Sequence, residues 1–172
     1  MFYSKDVFRF CPFCGSNNFV WDGEKSHFCS DCGKKLYTNA VGATIALLYN
    51  KAGELLFTTR KFNPAKDMLD LPGGFIDLGE TAEQAVVREV KEELNLDVRD
   101  LQFYGSFPNE YTYAGFTYFT IDLVFVCGVE NFEGMFANDD VADMRFINPK
   151  AVDLQEIGLN SVRNLVAKLQ EK

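Results

Sequence analysis

Glu89, Glu92 and Glu93 stand at i, i+3 and i+4 of a segment with helical periodicity, so their carboxylates crowd one face. Like charges at this spacing destabilise a helix, and a cation among them reverses the sign. Oxygen-only ligands select hard ions, so Mg²⁺ or Mn²⁺ is expected there, with phosphate oxygens of a substrate completing the shell. Arg88 directly precedes this trio, and Gly74 and Glu80 lie at fixed spacing before it. Such a set could hold a divalent ion against the phosphate oxygens of a substrate. An ion so placed would neutralise developing charge and lower the pKa of an attacking water. The chain's single histidine, His27, is far away in sequence, so a carboxylate must take the water's proton. Glu93 is the candidate within the trio. A solvated acidic face is the usual reading of a charge run, but the spacing to Gly74 and Glu80 argues against it.

A second set of ligand types sits near the N-terminus. Cys11-Pro12-Phe13-Cys14 and Cys29-Ser30-Asp31-Cys32 form two Cys-x-x-Cys pairs, the pattern of a four-cysteine Zn²⁺ ribbon. Gly15 and Gly33 each follow the second cysteine of a pair, where a knuckle turn favours a residue without a side chain. Two disulfides are the competing reading, but nothing at the start of the chain has the order of a secretory signal. With four thiolates available, His27 is expected at the surface and not as a ligand. Cys127 ends an apolar run and reads as a buried core residue.

The elements that must position these groups are legible too. Thr81 followed by Gln84 is a capping-box pattern, and Val86, Val90 and Leu94 make an apolar stripe that can pack on a sheet. Asn95 stands where a left-handed cap is expected, with Leu96 as its hydrophobic contact. Apolar, β-rich runs predict strands over 41–49 and 54–60, joined through Asn50-Lys51-Ala52-Gly53 as a hairpin. A loop through Pro64 leads to Leu71-Pro72-Gly73-Gly74. Two more strands, 101–113 and 116–127, turn at Ala114-Gly115, and an irregular stretch precedes a short strand over 144–147. Helical segments are predicted near 149–156 and 161–170. The chain therefore divides into a ribbon, 1–38, and a second domain, 39–172.

Composition bounds the partners. With 17 Lys/Arg against 25 Asp/Glu the net charge is −8, which disfavours general nucleic-acid or anionic-membrane binding. A phosphorylated substrate would be repelled as well, unless metal ions neutralise its site. Hydrophobic residues make up 47% of the chain, including 17 Phe, so it is globular. No apolar run approaches the ~20 residues of a membrane span, and cytoplasmic residence is expected.

Together, Gly74, Glu80 and Arg88-Glu89-Val90-Lys91-Glu92-Glu93 resemble the Nudix box, the signature of hydrolases that cleave a nucleoside diphosphate linked to another group. The resemblance covers roughly residues 40–156 and implies an α/β/α sandwich with a mixed sheet. It implies that Glu89, Glu92 and Glu93 bind catalytic metal, that Glu80 and the Gly74 carbonyl support that shell, and that Arg88 orients a carboxylate. Asp140 in Asp140-Val141-Ala142-Asp143-Met144-Arg145-Phe146 stands where the family has a further acidic ligand or base. Arg60, Tyr111 and Tyr113 are candidate substrate contacts, the tyrosines among several aromatics over 104–118 that could stack on a base. A ribbon directly before the box is similar to the NADH pyrophosphatase branch. The segment that marks NADH preference there keeps Ser106 and Pro108 here but not its glutamine or tryptophan. The expected substrate is a dinucleotide-like small molecule such as NADH or ADP-ribose. A triphosphate-sanitising enzyme and a non-catalytic nucleotide sensor are the alternatives, and a homodimer is left open.

Overall fold

Each cysteine pair closes a tight turn. Gly15 donates to Cys11 O at 2.8 Å and Gly33 to Cys29 O at 2.9 Å, with φ of 76° and 70°, values that disfavour any residue with a Cβ. The computed structural model describes residues 2–171. After a one-turn helix, α1 (Ser4–Val7), three short strands pair antiparallel in the order β1 (Phe19–Trp21), β2 (Ser26–Cys29), β3 (Lys35–Tyr37). Their apolar core is very small: buried Cys11, Phe19 and Cys29, flanked by Cys32 and Leu36. His27 is a correction to the sequence reading. It is 1% exposed, because the register sets it opposite Trp21 and its ring lies 5.0 Å from that of Phe19. In so small a sheet an imidazole serves as a wall of the core.

Contacts group these strands into one unit, Met1–Ala40 together with Glu110–Phe119, and the rest into another, Val41–Asn109 with Thr120–Lys172. Residues 110–119 are the tip of a long hairpin formed by β7 (Val98–Tyr113) and β8 (Phe116–Val129). Ala114 and Gly115 both have positive φ, 49° and 83°, which suits the twist of a two-residue hairpin.

In the second unit, alternation along each strand decides the layers. β4 (Val41–Leu47) pairs parallel with β8, which lies beside β7; β5 (Leu55–Arg60) pairs antiparallel with β6 (Leu69–Asp70) and β9 (Val141–Ile147). Ile45, Leu47, Leu55, Phe57 and Val124 point to one side and bury Val162, Leu165 and Val166 of helix α3 (Asn160–Gln170). Ala46, Leu48, Leu56, Phe125 and Cys127 point to the other and bury Val86, Val90 and Leu94 of helix α2 (Ala82–Leu94). Period-2 alternation with apolar residues on both faces requires a helix on each, and this is the α/β/α arrangement.

Two predicted elements differ. The turn at Asn50–Gly53 forms, with Asn50 donating to Glu54 O at 3.0 Å, but its strands do not continue as a hairpin. Beyond the Tyr49–Leu55 bridge, β4 pairs with β8, whereas β5 runs between β6 and β9 with both of its edges occupied. The segment 149–156 is two single 3-10 turns, Pro149–Ala151 and Leu154–Glu156, each started by a side-chain acceptor, Asn148 and Asp153. No helix among the described residues is long and apolar enough to cross a membrane.

Candidate active site

The ends of α2 fix its register. Gln84 N–H donates to the Thr81 hydroxyl at 3.2 Å, Thr81 N–H donates back to the Gln84 side chain at 2.9 Å, and Asn95 stops the helix in the left-handed region at φ 57°. With Val86, Val90 and Leu94 turned to the sheet, Glu89 and Glu93 face the loop Leu71–Gly74, while Glu92 stands half exposed at the rim.

That loop is stitched to β4 by backbone bonds: Ala46 N–H to Pro72 O and Thr44 N–H to Gly74 O, both at 2.8 Å. Gly73 has φ 144°, and a Cβ there would collide with the Thr44 carbonyl. Its N–H is thereby aimed at Glu93 Oε2, 2.9 Å away. A Cβ on Gly74 would lie 2.5 Å from Glu89 Oε1, so the second glycine makes room for a carboxylate. We expect Gly74→Ala to fold, since Gly74 has no positive φ and a side chain is all that must yield. Its turnover should fall at least tenfold through displacement of Glu89, as measured by kcat beside an unchanged circular dichroism spectrum; wild-type kcat would overturn this.

Arg88 organises the acids. Its Nε and Nη2 donate to the two oxygens of Glu80, each at 2.9 Å, in a bidentate fork. Nη1 donates to Glu89 at 2.8 Å and to Glu92 at 3.0 Å, and Nη2 also reaches Phe75 O at 3.0 Å. The guanidinium, foremost, and the Asp77 N–H hold the Glu80 carboxyl below its usual range. Glu93 is the opposite case. Burial, and then the nearby charges of Glu89, Asp70 and Asp140, push it well above that range against the pull of the Gly73 N–H. Burial also raises Glu89, with Arg88 opposing and Glu92 and Asp139 adding to the rise. One guanidinium therefore serves three carboxylates and leaves Glu93 with a backbone N–H only, a donor set short of positive charge.

Asp140 is exposed, and its charge is felt at Glu93. Two neighbours escaped the sequence reading. Asn138 N–H donates to Glu93 O at 2.9 Å and its side chain to Glu92 O at 3.1 Å, which ties the 138–140 turn to the end of α2. Asp139, at φ 47°, stands near enough to Glu89 to raise it. Nothing in local spacing announces either residue, because Asn138 lies 46 positions from Glu92 and Asp139 is at least as distant from Glu89.

Arg60 is engaged inside the protein: Nη1 pairs with buried Asp70 at 2.5 Å and Nε donates to Pro64 O at 2.6 Å. Tyr111 and Tyr113 lie at the hairpin tip, in the unit of the cysteine ribbon and not in the unit of the glutamates. Among the described residues, only Cys11, Cys14, Cys29 and Cys32 converge as a metal-ligand group, all four sulfurs within 4.8 Å of one another. The Cys11–Cys32 and Cys14–Cys29 sulfurs are 3.7 Å apart. A disulfide needs about 2 Å, whereas two metal–thiolate bonds of about 2.3 Å at a tetrahedral angle place sulfurs about 3.8 Å apart.

A mixed sheet between two helices, with a capped helix presenting glutamates to a double-glycine loop, defines a Nudix-type fold. The NUDIX domain family matches residues 38–169, and the chain belongs to it. An NAD-capped RNA hydrolase NudC from Vibrio atlanticus is 35% identical over 100 residues, 58% of this chain and 36% of that protein. One from Pseudomonas aeruginosa is 35% identical over 98 residues, 57% of this chain and 34% of that protein. The chain thus spans little more than a third of the length of these curated relatives. Among solved structures, a NUDIX hydrolase from Nitrosomonas europaea aligns over 95% of this chain and 91% of its own, with TM-score 0.65 and 17% identity. A MutT protein from Methanosarcina mazei Go1 aligns over 79% and 96%, with TM-score 0.64 and 21% identity. At such identities these two speak for the fold alone.

Proposed function

We propose that the protein hydrolyses the pyrophosphate bond of a nucleoside diphosphate joined to another group, with a dinucleotide-like substrate such as NADH or ADP-ribose. One observation carries this reading. Glu93 is buried and Glu89 half-buried against the Gly73–Gly74 loop, both carboxyls raised first by burial, with Arg88 opposing the rise at Glu89 and only the Gly73 N–H opposing it at Glu93. A protein maintains such an arrangement at a cost to stability, and strongly perturbed carboxylates in one place are the mark of a working site.

Glu89, Glu92 and Glu93 would hold Mg²⁺ or Mn²⁺, with the Gly74 carbonyl completing the set; the ion would supply charge neutralisation of the diphosphate and an acidified water. Glu80 is held in a fork by Arg88, so its part is to fix that guanidinium beside Glu89 and Glu92. Arg88 in turn keeps the two carboxylates oriented. The Gly73 N–H holds one oxygen of Glu93 and leaves the other for a ligand or a proton. Glu93, raised in the absence of a cation, or Asp140, solvated at the rim, would accept the proton from the attacking water. Arg60, tied to Asp70, would brace the loop that ends in Leu71–Gly74. Zn²⁺ is the ion that fits the four thiolates, in a structural role with no open position.

The relatives named NAD-capped RNA hydrolases support a dinucleotide-type substrate, and an NAD-type group on RNA falls in the same class. A panel of dinucleotides, ADP-ribose and nucleoside triphosphates, incubated with Mg²⁺ or Mn²⁺ and read by mass spectrometry, tests the proposal. We expect a dinucleotide-like member to be cut fastest, yielding two monophosphates. Triphosphates cleaved with kcat/KM at least tenfold above every dinucleotide, about 1.4 kcal/mol of transition-state preference, would replace it with the sanitising activity.

A further inference from the structure

A groove of about 940 Å³ is lined by residues of the ribbon unit alone, none of them a member of the glutamate box. Its lining combines aromatic rings with cations. Phe8, Phe10 and Trp21 present ring surface, Phe10 with 66% of its area exposed. Lys5 and Arg9 bring positive charge from either end of the same short segment, against one carboxylate, Asp6, which accepts the Tyr3 N–H at 2.9 Å. The chain as a whole is strongly acidic, so two cations set among rings are a local departure from its charge.

Buried at the wall of the groove is an independent sign of a ligand. His27 is 1% exposed, and neither ring nitrogen has a hydrogen-bond partner. An imidazole carries a donor and an acceptor when neutral, and burying both unpaired is costly. Its ring is fixed by Phe19 on one face and Trp21 at the edge, each at 5.0 Å between centroids, so it cannot turn away to find partners.

Rings that can stack on a planar heterocycle, cations for an anionic group and an orphaned imidazole describe a receptor for one chemical class. We infer that the ribbon groove binds a nucleotide, its base stacked on Phe8 and Phe10 beside Trp21 and its phosphate held by Lys5 and Arg9. The occupant has two sources with the same chemistry, a free mononucleotide or one residue of a single strand. A flat aromatic cluster without cations would suit an apolar partner, and cations without rings would suit any polyanion; this groove offers both within a few residues. The inference does not rest on the proposed hydrolytic activity.

The chain provides its own reporter, since Trp21 is the only tryptophan and His27 the only histidine. With the full chain and no added Mg²⁺ or Mn²⁺, AMP should quench Trp21 fluorescence saturably and shift the His27 ring resonances. Phe10→Ala, and Lys5→Ala combined with Arg9→Ala, should each raise the half-saturating concentration about tenfold, the scale of one lost base–ring stack. These residues are at the surface, so bound zinc and circular dichroism should be unchanged, and so should hydrolysis at the glutamate site. Short oligoadenylate binding more tightly than AMP assigns the groove to a strand; equal binding assigns it to the free nucleotide. Absence of saturable quenching by either probe overturns the inference. So does an equal response to inorganic phosphate alone, or wild-type binding by the variants. Because hydrolysis is measured separately, loss of this inference leaves the active-site reading intact, and the reverse holds as well.

Discussion

Glu92→Gln and Glu93→Gln should each lower turnover at least a hundredfold, about 3 kcal/mol of transition-state stabilisation, with the fold intact. Glutamine keeps the volume and an acceptor oxygen, so the Gly73 N–H retains its partner at position 93 and Arg88 retains one at position 92. What disappears is the charge that would hold a divalent ion. Stability should move the other way at position 93. Burial raises the Glu93 carboxyl, so the native state keeps a proton where the unfolded chain has lost it. Stability contributed by this group is full below the ordinary glutamate pKa of about 4.3 and is lost as pH rises through the raised native value. Without added divalent ions, Glu93→Gln should therefore melt above the parent at neutral pH, and the difference should vanish in acid. Near-normal rates for both variants at saturating Mg²⁺ would remove the assignment, as would a Glu93→Gln protein that melts below its parent at neutral pH.

The second large effect belongs to the cysteines. The ribbon's apolar core amounts to Cys11, Phe19 and Cys29 with two half-buried neighbours, far too little to order some forty residues. With Zn²⁺ on the four cysteines, metal binding would supply much of its folding energy, since a structural zinc site contributes about 10–16 kcal/mol of apparent binding energy at neutral pH. Cys29→Ser should abolish stoichiometric zinc binding, measured by elemental analysis of reduced protein. It should also collapse amide protection over β1–β3 while the sheet of the second unit stays protected, because that sheet has its own two-sided core. Zinc-free wild-type protein with an ordered ribbon would refute this.

Legibility in the sequence tracked locality. The helix α2 could be read to its caps, because Thr81, Gln84 and Asn95 act on residues within four positions of themselves. The cysteine turns were equally local. The hairpin after β4 could not be read correctly. Asn50–Gly53 turns as its composition dictates, but which strand lies beside β4 depends on β8, some seventy residues on. His27 was misjudged for a related reason: polarity suggests the surface, whereas the register with Trp21 decides burial. At the site, the glutamates and their glycines were visible, being one short stretch. Arg60 reads in the sequence as a candidate substrate contact, and its pairing with Asp70 comes only from the fold; Asn138 and Asp139 likewise become neighbours of the box only through the return of the chain.

The hairpin of β7 and β8 bears on whether this protein is modular. Its tip, Glu110–Phe119, groups with the first forty residues: Phe2 and Phe116 bridge, Tyr3 stacks on Phe119 at 5.6 Å, and Phe8 on Phe116 at 6.3 Å. The ribbon is therefore not a bead on a string that recombination or a protease could remove cleanly. Deleting it would strip Phe116 and Phe119 of the rings packed on them and leave adhesive aromatics bare at the hairpin tip. Grafted elsewhere, the ribbon would lack a strand pair it is built upon. The two units are woven from alternate stretches of chain, and they should be gained or lost in evolution as one piece.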